Sequence, residues 1–183
     1  MRIIAGTHRG TVLADVGQGD AAAHLRPTSD RVREALFSVL THMNVVQGAR
    51  VLDLFAGTGA MGLEALSRGA HEVCFVEKGR VGQKLISSNI DKMRVEDRTQ
   101  IIRGDATALG AWPAAAFDLV FLDPPYGKGM GAKALTTALA GGWLAQGALI
   151  VWEENAVMMP PKGVTREGKR KYGDTHVTLM RVG

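Results

Sequence analysis

Between residues 50 and 152, short unbroken apolar runs alternate with segments in which apolar side chains recur every three or four positions. That alternation predicts parallel strands joined by helices, because each strand of such a sheet is covered on both faces. Apolar runs at 50–55, 72–76, 100–103, 117–122 and 148–152 predict five strands, and helical spacing predicts helices over 60–68, 80–93 and 133–140. Gly69 follows the first of these helices as its terminator. Period-two alternation over 164–171 and 176–181, about Tyr172-Gly173-Asp174, predicts a closing antiparallel pair. The fold class is α/β and Rossmann-like, a mostly parallel sheet flanked by helices.

The first fifty residues read differently. Arg2-Ile3-Ile4 and Thr11-Val12-Leu13 predict a small hairpin, and residues 14–24, rich in glycine and alanine, predict a loop. Pro27-Thr28-Ser29-Asp30 supplies helix-capping chemistry before Val32, Ala35, Leu36, Val39 and Leu40, which share one helical face. The expected division is a hairpin-and-helix extension over 1–44 and a core over 45–183.

Composition narrows the class. With 183 residues, 46% hydrophobic and 22% charged, the chain has room for one globular core. No apolar run is long enough to span a bilayer and the first residues lack the apolar stretch of a secretory signal, so the expected location is cytoplasmic. The single cysteine, Cys74, sits in Val73-Cys74-Phe75-Val76 and reads as a buried hydrophobe, and the five histidines have no metal-ligand spacing, so no metal is expected. The net charge of +4 is unevenly placed. Basic residues outnumber acidic ones in 1–33 and 162–183, while acidic residues prevail between them. Basic ends suit a polyanionic partner as well as a plain solvated surface.

Gly57-Thr58-Gly59-Ala60-Met61-Gly62 follows the first strand and opens a helix. Such a loop lets backbone approach a ligand closely, and taken alone it suits the pyrophosphate of NAD or FAD. Glu77, about 20 residues on, suits a ribose diol under either reading. Asp53, at the end of the first strand before Phe55, would repel phosphates but attract the ammonium and sulfonium of S-adenosylmethionine. Asp105, followed by Ala106 after the third strand, is placed to accept from an adenine amine. Each has a structural alternative: Asp53 can orient the loop and Asp105 can cap the next helix. Three acids at the ends of three successive strands nevertheless line the crevice where open α/β sheets bind ligands.

The fourth strand ends in Asp123-Pro124-Pro125-Tyr126. Two prolines fix a stiff, extended corner with no amide hydrogens and with carbonyls free to accept. Methylating an exocyclic amine requires its delocalised lone pair to be steered, and acceptors on the two amine hydrogens do so. The Asp123 carboxylate and a carbonyl of the Pro124-Pro125 segment supply them, the carboxylate also stabilising charge that develops on nitrogen. Tyr126 offers a ring on which a displaced base stacks.

These residues resemble a known family. Asp53-Leu54-Phe55-Ala56-Gly57-Thr58-Gly59 with Asp123-Pro124-Pro125-Tyr126 is similar to class I methyltransferases of exocyclic amines. Met1 to Gly6, the block from Leu25 to Phe37, and Lys171-Tyr172-Gly173-Asp174-Thr175 resemble the bacterial 16S ribosomal RNA guanine-N2 methyltransferases that modify guanine 966. The resemblance implies a seven-stranded sheet of order 3-2-1-4-5-7-6 and S-adenosylmethionine as methyl donor, with S-adenosylhomocysteine as product. By position it places Asp123 to Tyr126 at the target base, and Asp53, Phe55, Gly57, Thr58, Gly59, Glu77, Asp105 and Ala106 around the cofactor. It makes Arg2, Arg9, Arg26, Thr28, Arg31 and Arg33 an RNA-facing set, with 16S ribosomal RNA or the small subunit as partner of a monomer. Residues 14–24 depart from the family pattern. The alternatives are an adenine-N6 methyltransferase of DNA or RNA, which uses the same turn but usually a larger recognition region, and a protein-glutamine methyltransferase, which prefers Asn at position 123. From other classes, an NAD-dependent oxidoreductase leaves Asp123 to Tyr126 idle, and a non-catalytic RNA-binding protein explains only the charge.

Overall fold

The computed structural model describes residues 1–16 and 28–183. Seven strands form one sheet in the order β3-β2-β1-β4-β5-β7-β6. They are β1 (Arg50–Leu54), β2 (Glu72–Glu77), β3 (Thr99–Arg103), β4 (Phe117–Leu122), β5 (Leu144–Glu154), β6 (Val164–Tyr172) and β7 (Thr175–Val182). The first five run parallel, and β7 lies antiparallel between β5 and β6. The helices are α1 (Asp30–His42), α2 (Ala60–Ser67), α3 (Arg80–Met93) and α4 (Met130–Ala140). The strand order places the end of β1 beside both β2 and β4, the arrangement that opens a crevice at the carboxyl ends.

Two apolar layers cover the sheet. One face carries Val51, Phe75, Leu119, Phe121, Leu149 and Val151; the other carries Leu52, Leu54, Cys74, Leu122, Ile150 and Trp152. Burial pushes the Cys74 thiol up to about 12, in keeping with its expected role as a small apolar side chain. None of the helices among the described residues is long and apolar enough to cross a membrane.

Boundaries moved by more than one residue at two elements. The fourth helix starts at Met130 rather than 133, and the fifth strand starts at Leu144 rather than 148, because pairing resumes at Phe117↔Leu144 across an irregularity before Leu119↔Leu149. The N-terminal hairpin closes with a single bridge, Arg2↔Val12, supported by Ile3 N donating to Thr11 O and Gly10 N donating to Ile3 O. Most of the 14–24 loop, and Arg26 with Pro27, lie outside the described residues.

Helix α1 begins as its sequence suggests, with Ser29 Oγ accepting from Val32 N. Its buried face is rotated from the expected one. Arg33, Leu36, Phe37 and Leu40 point inward, whereas Val32, Ala35 and Val39 are only half-buried. Arg33 therefore corrects the sequence reading: its side chain is fully buried and does not face solvent or RNA. It is drawn inward by Asp30 at 2.9 Å, by Glu64 at 3.7 Å and by the carbonyl of Arg2, to which it donates. Glu64, itself buried on α2, also accepts from Ile4 N at 2.9 Å, Ala5 N at 3.1 Å and Arg68 Nε at 2.8 Å. One carboxylate thus fastens the hairpin and α1 to the helix that follows the glycine loop.

Candidate active site

The loop between β1 and α2 turns through Phe55 (φ 59), Gly57 (φ 59) and Gly59 (φ 80). A left-handed phenylalanine is uncommon, and such strain concentrates where backbone must meet a ligand. Two acids hold the loop. Asp53 Oδ2 accepts from Gly62 N at 3.0 Å, and Glu77 Oε2 accepts from Gly57 N at 2.7 Å while its Oε1 accepts from Gly79 N at 2.7 Å. Gly82 of α3 lies against this clasp, where a Cβ would come within 2.8 Å of Glu77 Cγ and 2.9 Å of the Gly57 carbonyl oxygen. Asn89, fully buried on α3, donates to the Thr58 carbonyl at 3.0 Å. It also exchanges two hydrogen bonds with the backbone of Ala14, at 2.6 and 3.0 Å. Thr58 is buried, and its hydroxyl lies 3.7 Å from Met1 Sδ.

Both structural alternatives named for the acids are thus realised, since Asp53 orients the loop and Asp105 caps a short turn. Asp105 Oδ1 accepts from Thr107 N and Oγ1, and its Oδ2 pairs with Lys78 at 2.9 Å. Those partners, Lys78 foremost, hold its carboxyl well below the usual carboxylate range. Ala106 is buried at the start of that turn. A cavity of about 260 Å³ opens beside Ile102 and Asp105 at the end of β3 and runs along the 104–113 loop towards Trp112 and Trp143.

Asp53 is almost fully buried, and burial pushes it up to about 8; the Gly62 amide opposes this, and Glu77 and Glu153 add to it. The end of β1 therefore gathers two carboxyl groups, Asp53 and Glu77, that backbone amides hold in place. Burial by itself favours the neutral form of Asp53; a bound ammonium or sulfonium would draw it to the carboxylate, whereas a pyrophosphate would oppose that ionisation. The residues present fit S-adenosylmethionine on that ground.

The turn after β4 is gripped from the next strands. Pro124 is buried, and Asp123, Pro125 and Tyr126 are half-buried. The Tyr126 hydroxyl lies 3.4 Å from Thr175 Oγ1 at the start of β7. Glu154 at the end of β5 accepts from Gly127 N at 3.2 Å and Asn155 N at 3.0 Å. Asp123 is the first residue beyond β4, so its backbone direction is set by a buried strand and its departure by two prolines.

Of the RNA-facing set, Arg2, Arg9 and Arg31 are exposed, Arg2 within 3.8 Å of Asp30. Thr28 is half-buried and donates to Glu153 at 3.4 Å. Glu64, Asn89, Glu153 and Glu154 were not singled out from sequence. A signal existed for three of them. Glu153 and Glu154 end the fifth apolar run as Asp53, Glu77, Asp105 and Asp123 end or follow the other four, and Glu64 is the one charge in the apolar helix that follows the glycine loop.

Comparisons with known proteins agree with this architecture. The family described as conserved hypothetical protein 95 matches residues 1–181. The Escherichia coli protein named ribosomal RNA small subunit methyltransferase D is 36% identical over 184 residues, covering 99% of this chain and 89% of the relative. Its Haemophilus influenzae namesake is 35% identical over 156 residues, covering 84% and 78%. The solved structure of Escherichia coli yhhF superposes with a TM-score of 0.85 at 32% identity, over 100% of this chain and 97% of that one.

Proposed function

This chain belongs to the conserved hypothetical protein 95 family, that of the ribosomal RNA small subunit methyltransferases D, and from that membership we propose that it methylates the exocyclic N2 amine of a guanine in 16S ribosomal RNA, guanine 966 of the small subunit. The observation that carries the chemistry is Asp123-Pro124-Pro125-Tyr126 at the mouth of β4, one strand away from the acid-lined glycine loop.

S-adenosylmethionine supplies an already activated methyl group. Gly57 to Gly59 present backbone to it, and the acids Asp53, Glu77 and Asp105 face its ammonium, ribose hydroxyls and adenine amine. Asp123 accepts one hydrogen of the target amine and a carbonyl of the Pro124-Pro125 segment accepts the other, which turns the nitrogen lone pair towards the donor. The Asp123 carboxylate stabilises positive charge as it develops on that nitrogen. Tyr126 supports the base by stacking, its hydroxyl steadied by Thr175. Arg2, Arg9 and Arg31 hold the phosphates around the displaced nucleotide.

The test is to supply small-subunit RNA from cells lacking the gene with purified protein and labelled S-adenosylmethionine, and to map the product. Label at guanine N2 of one nucleotide supports the proposal; label at adenine N6, or none, overturns it. Tight S-adenosylhomocysteine binding without NADH binding is the companion result.

The basic extension gives a separate expectation. Replacing Arg9 and Arg31 by Ala weakens RNA binding irrespective of sequence and flattens its dependence on log salt, by about 0.7 to 0.9 for each phosphate that the protein no longer neutralises. Filter binding at several salt concentrations checks this; an unchanged slope places the RNA elsewhere.

A further inference from the structure

The proposed turn serves guanine and adenine amines alike, so base choice needs a further group. Strand β5 supplies one. Phe121 pairs with Val151 and Leu122 with Trp152, so Asp123 and Glu153 come next in register on adjacent parallel strands. Phe121 and Val151 lie in one apolar layer, Leu122 and Trp152 in the other. Strand alternation returns Glu153 to the Phe121 face, the face of Asp53, which pairs with Phe121 in β1.

Glu153 is only 3% exposed. Its β7 partner is the apolar Val177, and its side-chain hydrogen bond among the described residues is a long one, 3.4 Å from the Thr28 hydroxyl. A carboxylate in that setting is costly unless donors reach it, and one distant hydroxyl leaves most of its acceptor capacity unused. Burial accordingly pushes its carboxyl up to about 7. Glu154, its neighbour, has a plain structural task in holding Gly127 and Asn155; Glu153 has none of comparable strength.

Guanine carries N1–H beside its N2 amine, two adjacent donors on one edge. Adenine carries a lone pair at N1 beside its N6 amine, which would point at a carboxylate. With Asp123 on the amine, the neighbouring acid meets the atom that differs between the two bases. Resting on the activity proposed above, we infer that Glu153 is a specificity-determining residue that accepts from guanine N1–H, so that the site takes guanine and rejects adenine.

The experiment uses small-subunit RNA ligated to carry either guanine or 2-aminopurine at the target; the analogue keeps the 2-amino group and lacks the N1 hydrogen. The unaltered protein should methylate guanine with a kcat/KM at least about 100-fold above that for 2-aminopurine, since a site built around a donor rejects an analogue lacking it. Glu153→Leu should lose activity on guanine and bring the two substrates within about threefold, with S-adenosylhomocysteine affinity kept. Glu153→Gln, which keeps the shape and one acceptor, should fall between them and serves if the leucine variant does not fold. Equal discrimination in the unaltered protein and both variants overturns the assignment and leaves Glu153 as a support for Thr28. Failure of the unaltered protein to methylate either RNA overturns the activity itself, and the assignment with it.

Discussion

Asp123→Ala is expected to reduce methyl transfer to ribosomal RNA by at least about 10³-fold while leaving S-adenosylhomocysteine affinity within about threefold. A preorganised group at a developing charge contributes about 2.7–4 kcal/mol, a factor of about 10² to 10³, and Asp123 additionally orients the lone pair. The cofactor side should be spared, because the glycine loop is held by Asp53, Glu77 and Asn89, none of which is replaced. Single-turnover transfer of labelled methyl, with calorimetry for the cofactor product, separates the two effects. Asp123→Asn should retain more activity than Ala, since its carbonyl still accepts one amine hydrogen. Full transfer by the alanine variant would contradict the proposed role of the turn.

The second large effect concerns stability. Glu64→Ala removes the acceptor of Ile4 N and Ala5 N, and leaves the fully buried Arg33 and the mostly buried Arg68 short of a partner. Breaking a buried pair from one side costs about 3–5 kcal/mol, which for a chain of this size lowers Tm on the order of 10 °C. Burial already lowers the Arg33 pKa, with Glu64 and Asp30 opposing that shift, so loss of Glu64 strands a charge that its surroundings disfavour. Adding Arg33→Met should recover part of the loss, because the second change removes the stranded cation. Differential scanning calorimetry of the single and double variants decides. Additive losses would mean that the two side chains are not coupled.

Strand count and the helix that follows the glycine loop were legible because they depend on runs of apolar residues and on turn chemistry that few other residue types supply; strand order was implied by the family resemblance alone. The acids at the strand ends were legible as positions but not as partners. Asp53 and Asp105 read from sequence as ligand groups with a structural alternative, and in the structure each holds backbone; a ligand would call on the same oxygen atoms, so spacing cannot tell the two tasks apart. Arg33 was misread for a different reason. An arginine in a basic block looks like a surface residue until the helix is docked, and Glu64, thirty-one positions later, joins Asp30 and the Arg2 carbonyl in making burial tolerable. Asn89 was invisible because its partners, Ala14 and Thr58, are joined to it through main-chain atoms whose identity leaves no trace in the side-chain pattern.

The attachments of the first fourteen residues also carry a consequence for biosynthesis. Ile4, Ala5 and His8 are tied to Glu64 and Ser67, and Ala14 to Asn89, across separations of 59 to 75 residues. Non-local contacts of that kind form only after the intervening loop has closed. On a chain made from its amino end, the hairpin emerges before α2 and α3, and it has nowhere to dock until they have been synthesised and have packed on β1 and β2. The hairpin thus settles only well after it has been made, and the arginines it carries stay loose meanwhile in the company of the ribosome that is making them.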